Sequence, residues 1–166
     1  QTIDSARGAD GHQFNPFVAL CTPETTEKVG DVYGFNLVYS GSFFASAEVS
    51  QHAFTRFTAG INPYDFDWQL DAGEVFSSPE LVMVYSHSGL GQMSRTFHDL
   101  YRNHLIRGQY KDIMRPVLLN CWEAVYFDFD DKKILEVAKE ASELGIELIV
   151  MDDGWFGQRN DDTSSL

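Results

Sequence analysis

Four stretches in the first half of the chain are rich in the aromatic and β-branched residues typical of β-strands. They cover residues 12–21, 33–39, 45–57 and 80–86. Turn-forming residues separate them, at 22–30, 40–41, 62–63 and 71–73. Short strands with this punctuation predict antiparallel sheets packed as a sandwich. Pro16 predicts that the first strand lies at a sheet edge or carries a bulge, because proline has no backbone N–H to donate to a second neighbour.

A helical period replaces this pattern between Gly89 and Ile106. The apolar and aromatic positions on the predicted helix recur at i, i+4, i+7, i+8, i+11 and i+12, and His104 falls in the same row: Met93, Phe97, Leu100, Tyr101, His104 and Leu105. Such positions lie on one face of a helix. Gly108 after Arg107 predicts the end of the helix, because glycine readily takes the left-handed conformation found there. We interpret this helix as a connector between the sheets and a second domain.

The residues after Pro116 predict a strand, a helix and another strand. Residues 117–121 are a short apolar run, and residues 146–151 are a longer one that we expect to be buried on both faces. Between them, Asp128, Asp130 and Asp131 suit the start of a helix, and Gly145 suits its end. A strand, helix and strand within about 35 residues form one βαβ unit, which predicts parallel strands and a right-handed crossover. A parallel sheet needs further strands, so we expect the chain to come from the middle of a longer protein.

Three residues with possible chemistry follow the two predicted strands, namely Trp122, Asp152 and Asp153. Parallel strands end at the same edge of their sheet, so these side chains are expected to share a pocket. The aspartates are followed by Gly154 and Trp155. Carboxylates accept hydrogen bonds from hydroxyl groups, and the indole face of a tryptophan at that strand end covers apolar C–H surface. The pattern therefore favours a site for a polyhydroxylated ligand. Simpler interpretations remain open at this point: the aspartates could cap a helix, and Trp122 could pack in a core.

Composition narrows the possible partners. The formal charge of −13 argues against nucleic acid and anionic membrane, both of which require a basic face. No apolar stretch approaches the roughly 18 residues needed to cross a bilayer, and the first residues show no secretory signal. Cys21 and Cys121 are too few and too far apart for a disulfide scaffold, so both are expected to be reduced and buried. These features predict a cytoplasmic protein.

Metal and phosphate chemistry are weaker interpretations of the acidic residues. Asp161 and Asp162 could join Asp152 and Asp153 in a calcium site, but calcium needs about six to eight converging oxygens. A magnesium-dependent phosphoryl-transfer domain would show an Asp-x-Asp spacing and a phosphate-binding loop, and the sequence has neither. We therefore expect no metal and no cofactor.

Several of these stretches together resemble the large bacterial-type α-galactosidases, which are retaining glycoside hydrolases that cleave melibiose and raffinose. The similar segments are HQFNPFVALC, YGFNLVYSGSF, INPYDFDWQLDAGEVFSSPE, RPVLLNCWEAVYFDF and LGIELIVMDDGWFGQRNDDTSSL. LLNCWEA and MDDGWFG are specific in combination, although each alone would be weak.

The resemblance implies an α+β fragment with three parts. Residues 1–88 would be the C-terminal part of an antiparallel β-sandwich domain, and residues 89–115 a linking helix and connection. Residues 116–166 would be the first βαβ unit of an incomplete (β/α)8 catalytic barrel. The full-length protein would remove terminal α-linked galactose from oligosaccharides as a homotetramer.

The resemblance also assigns site residues. Trp122 corresponds to the tryptophan of the galactose pocket, and Asp152 and Asp153 to the paired aspartates that bind galactose hydroxyls around O4 and O6. The family's nucleophile lies in a Lys-x-Asp-Met-Asn type motif and its acid/base lies later, and this sequence has no such motif. We therefore expect no catalytic residue here and no activity in the isolated fragment. A non-catalytic galactose-binding module is the alternative.

Physical geometry agrees with a binding role for the two aspartates. A retaining glycosidase places two carboxyl groups about 5–5.5 Å apart on opposite sides of the scissile bond. Adjacent residues at one strand end diverge from a shared backbone, so Asp152 and Asp153 are poorly placed to flank a sugar from both faces.

Overall fold

A computed structural model describes residues 1–164 and divides the chain into two compact units, Gln1–Leu105 and Ile106–Leu166. Six strands of the first unit are β1 (Thr2–Asp4), β2 (Phe17–Cys21), β3 (Val32–Leu37), β4 (Phe43–Val49), β5 (Thr55–Ile61) and β6 (Leu81–Ser86). Helix α1 (Gly89–Leu100) continues into a π-helical turn at Tyr101–Leu105. The second unit contains a 3-10 turn (Gln109–Lys111), β7 (Leu118–Asn120), α2 (Trp122–Val125), α3 (Asp131–Glu143) and β8 (Leu148–Val150).

The strands of the first unit form two antiparallel three-stranded sheets, ordered β1-β4-β5 and β2-β3-β6. Side chains from both sheets meet in one core, where Leu37 packs with Phe43 and Ala45. The rings of Phe35 and Phe57 stack with their centroids 4.0 Å apart. The predicted antiparallel sheets are confirmed, and β2 lies at a sheet edge as Pro16 indicated.

Helix α1 packs on the opposite face of the β2-β3-β6 sheet. Met93 and Phe97 are buried there with Val32 of β3. Gly34 makes this close approach possible, because a Cβ at that position would lie 2.7 Å from both Met93 Sδ and Phe97 Cε2. The helix predicted from residue 89 is confirmed. Its last turn differs from the expected stripe, since His104 and Leu105 are exposed. A π-turn has more residues per turn than an α-helix, so these two residues point away from the buried face on which α-helical spacing would place them.

The prediction of one strand over residues 45–57 is wrong. Two strands, β4 and β5, meet at a tight turn where Ser50 N donates to Phe54 O at 2.8 Å. Ala53 takes a positive φ of 60° in this turn, and Ser50 Oγ accepts hydrogen bonds from His52 N and Phe54 N. No glycine or proline marks the turn in the sequence, so it was hidden within a run of strand-forming residues. The short edge strand β1 was also missed.

In the second unit, β7 and β8 pair in parallel, with Leu119 opposite Ile149, and α3 lies between them in the chain. This confirms the predicted βαβ unit. The expectation that the second strand is buried on both faces is wrong for the described chain, since Leu148 of β8 is 41% exposed. A sheet of two strands leaves much of each strand without a neighbour that could cover it.

The two cysteines differ in burial although both are unpaired. Cys121 is buried as expected, whereas Cys21 is exposed because it ends the edge strand β2. Of the described helices, none is long and apolar enough to cross a membrane.

Helix α3 begins at a side-chain cap, as the acidic cluster before it predicted. Asp130 Oδ1 accepts a hydrogen bond from Lys133 N at 2.9 Å, and Gly145 beyond the other end has a φ of +84°.

We expect Asp130→Ala to lower the free energy of unfolding of the second unit by about 1 kcal/mol, the usual cost of losing an N-cap. Asp131→Ala is the control, expected to cost only a few tenths of a kcal/mol, roughly the value of one charge at a helix end. Urea unfolding followed by circular dichroism compares them, and equal losses would contradict the capping role.

Candidate functional site

Trp122, Asp152 and Asp153 line one crevice at the edge of the parallel pair. Trp122 begins α2 two residues after β7 ends, and the aspartates follow β8 directly. The other lining residues are mostly apolar: Cys121, Val125, Tyr126, Phe129, Ile134 and Met151. The crevice has a volume of about 10 Å³, which is about the space that one water molecule needs. The structure thus brings the three predicted residues together, in a space too small to enclose a sugar.

Asp153 is held by a two-point ion pair with Arg159. Arg159 Nε donates to Asp153 Oδ1 at 2.9 Å and Nη2 donates to Oδ2 at 2.8 Å. The Gly154 amide donates to Oδ1 as well, at 2.8 Å. The side chains of Arg159 and Asp153 are only 10% and 26% exposed. This fork geometry is the strongest common form of a carboxylate–guanidinium contact, so Asp153 has a fixed orientation.

Arg159 is in turn supported by its own neighbours. Its guanidinium carbon lies 5.7 Å from the centroid of the Phe127 ring, and Nη1 donates to the Ser164 carbonyl at 2.7 Å. Arg159 was not among the site residues predicted from the sequence. The available signal was a single cation within the acidic segment from Asp152 to Asp162, which needs a partner if it is to be buried.

Asp152 is exposed and is held differently. Its Oδ2 accepts a hydrogen bond from Asn120 Nδ2 at 2.6 Å, and Asn120 Oδ1 accepts one from the Trp122 amide at 2.9 Å. A carboxylate has about four acceptor positions. Among the described contacts, Asp153 uses three and Asp152 uses one. Asp152 therefore keeps more capacity to accept hydrogen bonds from a ligand. Asn120, like Arg159, was not among the site residues predicted from the sequence.

Trp122 is half-buried within an aromatic cluster. The rings of Tyr126 and Phe127 meet it edge-on, with centroids 5.3 Å and 4.9 Å away. Tyr126 has a φ of 48°, which is uncommon for a residue with a side chain, and its hydroxyl donates to Glu123 Oε2 at 2.8 Å. That hydrogen bond to Glu123 raises the pKa of Tyr126 above its ordinary value. These contacts fix the indole against one wall of the crevice.

Among the remaining acidic residues after β8, Asp161 has a local partner. Asp161 Oδ1 accepts hydrogen bonds from the amide and hydroxyl of Thr163, and these bonds lower its pKa. Trp155 is 64% exposed and meets Phe156 edge-on. Within residues 1–164, no group of three or more His, Cys, Asp or Glu side chains is placed to hold a metal ion.

The Arg159 contact predicts the titration of Asp153. Hydrogen bonds from Arg159 lower the pKa of Asp153 below 3.8, more than its burial raises it. Because the folded pKa is depressed, the ion pair stabilises the fold fully above the unfolded pKa of about 3.9. That contribution is lost as the pH falls through the folded pKa. We expect Arg159→Met to move the pKa of Asp153 upward, measured from carboxyl carbon shifts by NMR. The same midpoint in both proteins would contradict the pair.

Family models match almost the whole chain. The melibiase model matches residues 75–166, and the model of the glycosyl hydrolase family 36 N-terminal domain matches residues 1–71. Among curated proteins, α-galactosidase AgaA of Geobacillus stearothermophilus is 55% identical over all 166 residues, and α-galactosidase 1 of Pediococcus pentosaceus is 49% identical. The chain spans 23% of the length of each of these two relatives.

Solved structures agree with these matches. The crystal structure of AgaA superposes with a TM-score of 0.90 over the whole of this chain and 23% of its own. The galactosidase domain of the α-galactosidase–sucrose kinase AgaSK is 48% identical and gives a TM-score of 0.88, with the same coverage. AgaA variants have been crystallised in complex with stachyose and with raffinose. The chain therefore belongs to the melibiase family, with a family 36 N-terminal domain preceding the melibiase region.

Proposed function

We propose that this chain is part of an α-galactosidase that hydrolyses terminal α-linked galactose from oligosaccharides such as raffinose and melibiose, with retention. The names of its relatives and the raffinose and stachyose complexes of AgaA support this proposal. Because the chain spans 23% of those relatives, the activity, the substrates and a homotetrameric assembly are proposed for the whole protein. A cytoplasmic location is proposed with them.

We further propose that β7, α3 and β8 are the first βαβ unit of a (β/α)8 barrel. Their parallel pairing fits that role, since every strand of such a barrel is parallel to its neighbours. Under this proposal residues 1–88 belong to the sandwich domain, residues 89–115 connect the domains, and residues 116–166 begin the barrel. Active sites of these barrels lie at the C-terminal ends of the strands, the edge where Trp122 and Asp152 lie.

The observation that carries the proposed site is the convergence of Trp122, Asp152 and Asp153 on one crevice at that edge. Asp152 is exposed and has open acceptor positions for sugar hydroxyls. Asp153, fixed by Arg159, can accept about one more hydrogen bond. A carboxylate that binds the axial hydroxyl of galactose disfavours glucose, because the epimer leaves the acceptor unpaired. Trp122 would cover apolar C–H surface of the sugar.

The aspartates are proposed to bind substrate and not to react with it. Both follow the single strand β8, and one of them is already neutralised by Arg159. A retaining mechanism needs carboxyl groups on opposite sides of the sugar. We therefore assign no catalytic residue to this chain, and the nucleophile and acid/base would come from other parts of the barrel.

A chimera tests the proposal. This chain would replace the matching 166 residues of AgaA, and turnover of p-nitrophenyl α-galactoside would be measured. We expect the chimera to be active and the isolated chain to be inactive. A second chimera exchanges only residues 106–166. It tests the second unit separately, in case the exchanged β-sandwich packs poorly against the rest of AgaA and lowers activity for that reason. Two folded chimeras without activity would contradict the proposal.

Calorimetry with galactose separates the enzyme from a stand-alone binding module. The crevice of about 10 Å³ cannot enclose a sugar, so we expect no heat of binding from the isolated chain at millimolar galactose. Binding with a millimolar or tighter dissociation constant would favour the module instead.

A further inference from the structure

Asn120 joins the two strand ends that carry the proposed site. It is the last residue of β7, and its side chain reaches Asp152 beyond the end of β8. Its amide makes two hydrogen bonds at once, accepting from the Trp122 N–H at 2.9 Å and donating to Asp152 Oδ2 at 2.6 Å. One side chain therefore contacts the backbone of one proposed sugar-binding residue and the carboxylate of another.

These two partners fix which way the amide of Asn120 faces. A backbone N–H can only donate, so the carbonyl oxygen of Asn120 must face Trp122. The amino group must then face Asp152, whose carboxylate can only accept. A turn at the start of α2 would account for the bond to Trp122 alone, since asparagine often bonds a backbone amide two residues ahead. It would not account for the bond across to Asp152.

The two aspartates have hydrogen-bond donors of different charge. Asp153 is paired with the positively charged Arg159, whereas Asp152 accepts one hydrogen bond from the neutral Asn120. A neutral donor fixes the orientation of the carboxylate without cancelling its charge, which stays available to the hydroxyl groups of a ligand. Asp152 is exposed, so without this contact it could rotate among several side-chain conformations.

We propose that Asn120 is a positioning residue that sets the orientation of the Asp152 carboxylate for binding galactose. This inference rests on the proposed function, because it assigns Asn120 a task only if Asp152 contacts the sugar. Asn120 touches no reacting atom, so its effect is exerted through Asp152. A bond between substrate and carboxylate that is equally strong before and during the reaction affects KM and leaves kcat nearly unchanged.

The test uses the active chimera and compares Asn120→Ala with Asp152→Ala. For Asn120→Ala we expect KM for p-nitrophenyl α-galactoside and the inhibition constant for galactose to rise together by about tenfold. The value of kcat should stay within about threefold, because this contact binds without reacting. The melting temperature should stay within about 2 °C, since surface changes rarely alter stability strongly. A fall in kcat and melting temperature with an unchanged galactose inhibition constant would mean a structural role and would overturn the proposal.

A double variant separates position from charge. Asn120→Asp/Asp152→Asn exchanges the two groups, so that the hydrogen bond between them and the one from Trp122 can both form again. We expect its melting temperature to match the parent while galactose affinity stays weak, because the charge has moved to the wrong residue. If Asp152→Ala itself leaves galactose affinity unchanged, the proposed site fails. If only Asn120→Ala leaves it unchanged, the site stands and the positioning role of Asn120 fails.

Discussion

Replacing Asp153 with alanine is expected to lower kcat/KM of the chimeric enzyme for p-nitrophenyl α-galactoside by about 100- to 1,000-fold, as losing charge-assisted hydrogen bonds in an enclosed site typically does. Two losses combine in this variant. The sugar loses an acceptor, and Arg159, whose side chain is 10% exposed, loses the carboxylate that neutralises it. A guanidinium left without its partner beside Phe127 is expected to move toward water and disturb the neighbouring loop.

Two variants show which of these losses matters more. Asp153→Asn keeps the shape and one oxygen acceptor while it removes the charge, so we expect a smaller loss, on the order of tenfold to 100-fold. Asp131→Ala removes an exposed acid from α3, outside the crevice, and should leave kcat/KM within about twofold. Folding is checked by circular dichroism in each case. Turnover by Asp153→Ala within threefold of the parent would rule out the proposed role of Asp153.

Replacing Phe43 with alanine is expected to lower the free energy of unfolding of the first unit by about 3–5 kcal/mol, the usual cost of removing a buried aromatic side chain. Phe43 is 0% exposed and lies on β4, in the core that also contains Leu37 of β3. Its removal opens a cavity between the two sheets, and the paired strands around it limit how far the structure can relax. Domains of this size are stable by only about 5–15 kcal/mol, so the variant could lose a large part of that margin.

Phe54→Ala is the matched control for this second experiment. Phe54 is 73% exposed in the turn between β4 and β5, so the same change there should cost less than about 0.5 kcal/mol. Urea unfolding followed by circular dichroism and by hydrogen exchange of the β4 amides gives both values. Similar losses for Phe43→Ala and Phe54→Ala would contradict a core shared between the sheets.

Much of the fold could be predicted because its signals are local. The apolar run at 146–151 and the spaced apolar residues before Gly145 gave the β7-α3-β8 order and, because a helical crossover joins parallel strands, the parallel pairing. The same reasoning predicts that Trp122 and Asp152 lie at one edge of the sheet. The resemblance then gave those positions a ligand, which periodicity alone did not identify.

Other features could not be predicted because they depend on residues far apart in the sequence. The turn at 50–54 is formed by a serine side chain within strand-like residues, so only the pairing of β4 with β5 reveals it. Cysteine is a residue type that is usually buried, so burial was predicted for Cys21. Its exposure follows from the edge position of β2. Asn120 and Asp152 are 32 residues apart in the sequence and meet only through the parallel register.

The sequence by itself therefore determined the β7-α3-β8 order, the strand ends that carry Trp122, Asp152 and Asp153, and the family, because each depends on residue types at short spacing. The tertiary structure decided which side chains hold those residues. Arg159 fixes Asp153 and Asn120 fixes Asp152, since a hydrogen bond requires two atoms within about 3 Å, and the fold determines which atoms come that close.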